Sequence, residues 1–491
     1  MPSHFLSTLL ARLRDGGPGP AFMLRDRALS YPACYELLLR MHAALADVTP
    51  EHTVAIAGGN RPETVLAQIA AQLRGAAVLY LSSSATDAAR LSALRAAKAS
   101  VLIIDPDTGP EGTLARQADI TRVYTLDELA AHHAARPPPG AASAEPALPE
   151  SVTAVFPTGG TTGEPKLVTH RGIYDGMAHI FAPHPDGQQR ILLVAPMSHL
   201  AGNCAVLGAL LCGDTVVPHA GFDATAVLRS IEADAITTLT LTPPRLSAVL
   251  ENDSLPHTDV SSVRSLSIGA APLPAHRMAQ ALELFGPVVG QGYGLTEAPM
   301  VASISAAELV ADPGLLGSVG TTVPGMEAMV DERSGEVLVR GIALMGGYYA
   351  RADLTEAAFE DGWLRTGDIG HFDGAGYLYL HGRADEVVVT GEHGSKVHPG
   401  IVEKALNEHG AVADSAVFGV PDAQGWQLHA AVVPRHSGVL SAADVRAHVR
   451  TRLGREHLVP ASVEFHDAFP LTAIGKVDKS ALRSQVSSPD H

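Results

Sequence analysis

Short apolar β-rich runs alternate with Ala- and Leu-rich stretches of helical spacing along most of the 491 residues, and this alternation restricts the chain to a layered α/β architecture. Val54–Ala57 reads as a strand, Arg61–Leu73 as a helix, and Ala76–Leu81 and Val101–Ile104 as further strands. The same rhythm returns at Ile191–Ala195, Thr215–Pro218 and Ile236–Leu241. Arg136–Glu150 (RPPPGAASAEPALPE) is a Pro/Ala-rich surface connector. From Gly325 onward short strands and turns dominate, as in EVLVRG and GYLYLHGR. After Arg383 the pattern becomes a compact α+β unit of roughly a hundred residues, a common domain size.

The length exceeds what one hydrophobic core organises, so more than one domain is expected. Basic residues number 35 against 52 acidic, a formal charge of −17. A surface this negative repels phosphate backbones and argues against nucleic-acid binding, while leaving room for an anionic ligand held by a few local donors. Cys34, Cys204 and Cys212 show no metal-ligand spacing, and buried packing is the reading for them. The segment MPSHFLSTLLARLRDGG lacks the basic and apolar regions of a secretory signal. The apolar run near Ala205–Cys212 is far too short for a membrane span, so a cytoplasmic location is expected.

The segment with the most chemistry is Thr153–His170, TAVFPTGGTTGEPKLVTH. A β-rich run enters a loop with Gly159, Gly160 and Gly163, the hydroxyls of Thr158, Thr161 and Thr162, and the cation of Lys166. Glycines let main-chain N–H groups approach an anion, threonines add donors, and the lysine adds a mobile charge. The set suits a polyphosphate. It is not a Walker A loop, because Pro165 precedes the lysine and no Ser or Thr follows it.

Four later segments follow: GYGLTE at Gly292–Glu297, WLRTGD at Trp363–Asp368, GRAD at Gly382–Asp385 and PLTAIGK at Pro470–Lys476. With the phosphate loop, their order resembles the adenylate-forming superfamily of acyl-CoA synthetases, peptide-synthetase adenylation domains and firefly luciferase. The loop departs from that family's pattern only at Gly159 and Leu167. The resemblance implies a large multi-layer domain over 1–384, with α/β sheets and a distorted barrel-like β part. A small mobile α+β domain over 385–491 would follow, hinged at Asp385.

The resemblance also implies ATP and Mg²⁺, a carboxylic acid activated as its adenylate, and transfer to a thiol. Thr158 to Lys166 would hold the β- and γ-phosphates. In GYGLTE, Gly292 and Gly294 allow close backbone approach, Tyr293 offers a face to adenine, Thr296 a phosphate hydrogen bond, and Glu297 a hard oxygen ligand for Mg²⁺. Gly269, Ala270 and Ala271, in SIGAAP, would leave room for the base. Asp368 would accept the ribose hydroxyls, and Arg383 would reach the ribose or phosphates. Lys476 would bridge the substrate carboxylate and the α-phosphate. His199, after PMS, matches a gate beside the acyl carboxylate; a satisfied core histidine is the other reading.

Two departures fall in the small domain. The loop VVVTGEHGSKVHP is about two residues longer than the related form, and Trp426 stands where relatives carry Glu. Both leave the acceptor open between coenzyme A and a separate carrier protein's phosphopantetheine. His393 and His398 read as exposed loop histidines. Gly202, Gly208, Gly269, Ala270, Gly290 and Gly292 suggest volume for an apolar or aryl acid. FDAT at Phe222–Thr225 resembles the peptide-synthetase pattern that pairs an amino-acid ammonium, but a lone FD is common, and a non-amino acid substrate is expected. A catalytically silent nucleotide sensor is the reading from another class, which Lys476, Glu297 and the phosphate loop together disfavour.

Overall fold

The computed structural model describes residues 2–82, 85–106, 111–132, 146–158, 166–390, 395–422, 425–435, 440–472 and 475–486. Among these, two large sheets organise the N-terminal part. One has nine strands, in the order Thr321–Thr322, Ala298–Ile304, Val289–Leu295, Ser265–Ile268, Thr238–Leu241, Arg190–Leu193, Thr215–Pro218, Pro20–Met23 and Ala28–Ser30. The six strands from Val289–Leu295 to Pro20–Met23 run parallel, as crossover helices require. The other has seven strands and is parallel from Ala154–Thr158 through Ala77–Leu81, Thr53–Ala57 and Val101–Ile104 to Arg122–Thr125. The strands therefore form where the alternating pattern placed them, within a residue or two. The connector at Arg136–Glu150 falls largely outside the described residues.

Helix Pro62–Leu73 is buried on every side, which is why apolar residues occur all round it. Its Gln68 exchanges amide hydrogen bonds with Asn203 of helix Leu200–Cys212: Asn203 Nδ2 donates to Gln68 Oε1 at 2.8 Å, and Tyr174 Oη donates to Asn203 Oδ1 at 2.6 Å. A polar contact that is fully partnered in a core fixes one relative placement of two helices. Here it fixes the helix that begins at Leu200, directly after His199.

A third sheet of five antiparallel strands contains Met326–Val330, Glu336–Gly341, Trp363–Phe372, Phe359–Glu360 and Leu378–Arg383. The barrel-like expectation meets an open sheet here, tied to the nine-stranded sheet by a Gly320–Leu378 bridge. Beyond it lies the small C-terminal domain. Its strands Ser395–Val397, Val388–Thr390, Gly425–Pro434, Val412–Asp422 and Ser462–Phe465 form one sheet with helices Pro399–Asn407, Ala442–Leu453 and Lys479–Val486. Its core residues, from Val388 to Val459, form a hydrophobic cluster of their own, with Leu440, Leu453 and Val463 packed against it. Among the described residues no helix is long and apolar enough to cross a membrane.

The three cysteines are free, and burial pushes the Cys34 and Cys204 thiols up to about 12 and Cys212 up to about 11. They are packing residues. Asp223 of FDAT accepts from Ala226 N at 2.6 Å and caps helix Ala224–Ala233, which accounts for that string without an ammonium ligand.

Candidate active site

In parallel sheets the chain leaves each strand at its C-terminal end, and that edge collects loops able to hold a ligand. Strand Arg190–Leu193 leads to His199, Thr238–Leu241 to Thr242 and Arg245, Ser265–Ile268 to Gly269–Ala271, and Val289–Leu295 to Thr296 and Glu297. In the second sheet, Ala154–Thr158 and Lys166–His170 pair antiparallel with Thr158 opposite Lys166, so the phosphate-loop residues join two hairpin strands. Gly159, Gly160, Thr161, Thr162 and Gly163 lie outside the described residues. Thr158 Oγ1 donates to the Lys166 carbonyl at 3.2 Å.

Thr296 and Glu297 form the two-residue turn of the hairpin Val289–Leu295/Ala298–Ile304. His170 of the seven-stranded sheet meets the Thr296 carbonyl at 2.7 Å, and Met345 N, just before strand Gly347–Tyr348, donates to the Glu297 carbonyl at 2.7 Å, so the turn is anchored at both residues. Tyr348 Oη donates to Glu297 Oε1 at 2.9 Å, while Lys166 Nζ lies 5.3 Å from the centre of the Tyr348 ring. A carboxylate, a phenol and an ammonium thus converge on one spot. That donor set fits a magnesium–polyphosphate, with the carboxylate as metal ligand and the ammonium as phosphate partner. Tyr348 carries no motif and was invisible in the sequence.

Asp368 and Arg383 are cross-strand partners in the third sheet. Arg383 Nη1 donates to Asp368 Oδ1 at 3.2 Å and to the Thr366 carbonyl at 2.8 Å. Tyr293 Oη donates to Asp368 Oδ2 at 2.6 Å, which aligns two residues 75 positions apart. Burial raises the Asp368 pKa despite Tyr293, Arg383 and Lys476, each of which acts to lower it. Gly367 sits at φ 72°, and a Cβ there would come within 2.8 Å of Arg383 Nη2, so this turn needs glycine on both counts.

The expected volume around the glycines is corrected by the packing. A Cβ on Gly202 would meet the Pro196 carbonyl at 2.4 Å, one on Gly290 the Ile304 carbonyl at 2.9 Å, and one on Gly208 the Phe181 ring at 3.3 Å. These three permit close contact, so the space of their missing side chains is already filled. A Cβ on Gly269 would meet the Gly292 carbonyl at 3.1 Å, and one on Gly294 the Pro299 carbonyl at 2.3 Å. Ala270 adopts φ 71°, a conformation L-residues seldom hold, at this same strand end.

His199 is not a satisfied core histidine. Its Nε2 is buried without a partner. Burial, with the charges of Lys476 and Arg245, pushes its pKa down to about 4. The preceding turn is pinned by Asn60, whose Nδ2 donates to the carbonyls of Ala195 at 3.1 Å and His219 at 3.0 Å, and whose Oδ1 accepts from Met197 N at 2.9 Å. Asn60, too, was missed from the sequence. A base with a depressed pKa resists charging, so the closed site is destabilised as pH falls below about 6.5. His199→Asn is expected to remove part of the acid limb of kcat/KM between about pH 6.5 and 4, checked by parallel pH–rate profiles.

Lys476 comes from the small domain and enters the same site. Its ammonium is lowered in pKa by burial, and it feels the charges of Asp368, Arg383 and Glu386. His398, read as an exposed loop residue, is instead half-buried at the start of helix Pro399–Asn407, with Nδ1 unpartnered. His393 lies outside the described residues. Trp426 is exposed in the hairpin of the small domain.

The layered sheets, the anchored carboxylate and the lysine brought in by a second domain define a nucleotide-dependent, adenylate-forming enzyme. The chain belongs to the AMP-binding enzyme family, which matches residues 14–349, with the AMP-binding enzyme C-terminal domain over residues 401–476. It is an enzyme of the AMP-forming acyl-CoA synthetase class, with ATP and Mg²⁺ as cofactors and coenzyme A as the co-substrate of that class. It is 33% identical to a medium/long-chain-fatty-acid–CoA ligase (FadD8) of Mycobacterium tuberculosis, over 99% of this chain and 90% of that one. It is 31% identical to a feruloyl-CoA synthase of Amycolatopsis, over 93% and 94%. Among solved structures it resembles the amide bond synthetase McbA of Marinactinospora thermotolerans, with a TM-score of 0.84 and 29% identity over 98% of this chain and all of that one. It also resembles the o-succinylbenzoate coenzyme A synthetase of Bacillus subtilis in complex with ATP and magnesium ion, with a TM-score of 0.80 and 26% identity over 99% and 100%.

Proposed function

We propose that the enzyme joins a carboxylic acid to AMP and then passes the acyl group to the thiol of coenzyme A. In the first half-reaction a carboxylate oxygen attacks the α-phosphorus of ATP, the bond to the β-phosphate oxygen breaks, and pyrophosphate leaves. Lys476 neutralises charge where the two anions meet, and the Lys166 ammonium steadies the leaving phosphates. Glu297 would hold Mg²⁺, which would supply charge neutralisation to the polyphosphate. Asp368, oriented by Tyr293 and Arg383, takes the ribose hydroxyls. His199, neutral, borders the acyl carboxylate without adding charge. In the second half-reaction the thiolate attacks the acyl carbon and AMP leaves with the electron pair.

The observation that carries this reading is the seating of Gly475, next to Lys476, against the large domain, where its carbonyl accepts from Thr242 Oγ1 at 2.8 Å and the lysine feels the charge of Asp368. A domain boundary with its hinge at Asp385, in the turn Ala384–Glu386, accords with the separate cores on either side. The favoured substrate is a non-amino acid with an apolar or aryl body, in line with the names of the relatives. Release of AMP from ATP with dodecanoic, ferulic, indoleacetic and 2-succinylbenzoic acids, with and without coenzyme A, tests it. Pyrophosphate release that no thiol accelerates would count against the thioester. The likeness to an amide bond synthetase favours a second reading, in which an amine attacks the adenylate. Product mass with an amine in place of the thiol separates the two.

Glu297→Gln keeps an acceptor for Tyr348 but removes the charge. The Mg²⁺ concentration for half-maximal rate is expected to rise about tenfold or more. An unchanged Mg²⁺ titration would place the metal elsewhere.

A further inference from the structure

We infer that Thr242 and Arg245, at the start of helix Pro243–Leu250, are positioning residues that dock the Lys476 loop and so serve adenylation alone. This rests on the proposed role of Lys476.

Thr242 occupies the N-cap position of that helix, but its hydroxyl makes no capping bond. The next two residues, Pro243 and Pro244, have no N–H to offer. The hydroxyl instead donates across 233 positions to the Gly475 carbonyl at 2.8 Å, in a buried contact. Gly475 holds φ 74°, and a Cβ there would lie 2.6 Å from Arg245 Nε and 2.8 Å from Thr242 Oγ1. The dock is therefore shaped to bare backbone. Arg245 is itself buried, with its guanidinium carbon 5.4 Å from the centre of the Phe222 ring, so packing against Phe222 holds this wall of the dock.

The described residues of the loop hold one another. Gly475 N donates to the Thr472 carbonyl at 2.8 Å, Thr472 N to the Lys476 carbonyl at 2.7 Å, and Lys476 N to Thr472 Oγ1 at 3.1 Å. Seating Gly475 thus places the Lys476 backbone one residue on, and only the side chain remains to be aimed. Thr242 and Arg245 belong to the large domain and Gly475 to the small one. The contact ties the two domains together in the orientation that brings the lysine in, and thiol transfer in a rotated orientation would proceed without it.

Three substitutions test this: Thr242→Val, Arg245→Met and Gly475→Ala. Pyrophosphate exchange is measured with the acid of the panel above that the parent enzyme uses fastest. Thioester formation is measured from that acid's chemically prepared adenylate. Exchange is expected to fall about tenfold in Thr242→Val, as for one lost buried hydrogen bond, and about a hundredfold in Gly475→Ala. The loss should appear in kcat with the KM for ATP little changed, and transfer from supplied adenylate should stay within about twofold. Thr242→Ser, which keeps the hydroxyl, should restore exchange. Hydrogen exchange of the peptide around Lys476, with ATP and Mg²⁺ present, should be faster in the docking variants than in the parent. Parent-like exchange activity in Gly475→Ala, or equal loss of both half-reactions in a folded variant, would overturn the dock. Lys476→Ala run beside them separates the two ideas: full exchange activity in that variant overturns the role of the lysine itself.

Discussion

Lys476→Ala is expected to lower acyl-adenylate formation by about 10² to 10³, the range for removing one preorganised charge from a developing anionic centre. The ammonium comes from the small domain to a place where it feels the charge of Asp368 and acts on His199, and its burial lowers its pKa. A group held against its own desolvation is repaid only where negative charge accumulates. Thioester formation from supplied adenylate needs no such group and should proceed at close to the parent rate. Rapid-quench measurement of both half-reactions checks this, and equal loss in both would remove Lys476 from the chemistry.

Asp385→Pro is expected to separate the half-reactions in the opposite sense. Asp385 is 64% exposed in a short 3-10 turn, and accepts from Arg383 Nε at 3.2 Å. Proline fixes φ at its own position and restricts the residue before it, so a backbone rotation at this turn becomes costly. The small domain is tied to the far side of the turn. Lys479 reaches Glu386 at 3.0 Å and Glu403 at 2.9 Å, so rotation at Asp385 would carry the Lys476 loop with it. Pyrophosphate exchange should survive largely intact while overall thioester formation falls at least about tenfold, in line with a conformational step becoming limiting. Equal loss of both in a well-folded variant would argue against alternation through Asp385.

Much of this enzyme was written locally. Alternating apolar runs gave the strands Thr53–Ala57, Val101–Ile104 and Thr215–Pro218, because a strand's burial depends on a few consecutive residues. Gly, Thr and Pro marked the phosphate-loop and PLTAIGK segments as candidates, because backbone freedom is also a local property. What the sequence left open depends on register and packing. Tyr293 meets Asp368, and Arg383 lies opposite it, only because three strands align. Tyr348 reaches Glu297 only because a two-residue strand pairs with Lys166–His170. Glycines read as empty volume at 202, 208 and 290 are contacts with backbone or ring, which no one-dimensional pattern reports. The neutrality of His199 and the lowered pKa of Lys476 come from burial by distant segments. The sequence determined which chemical groups the enzyme carries and in what order. Tertiary structure alone decided which of them meet and in what state of charge, since both follow from distance and solvent exclusion.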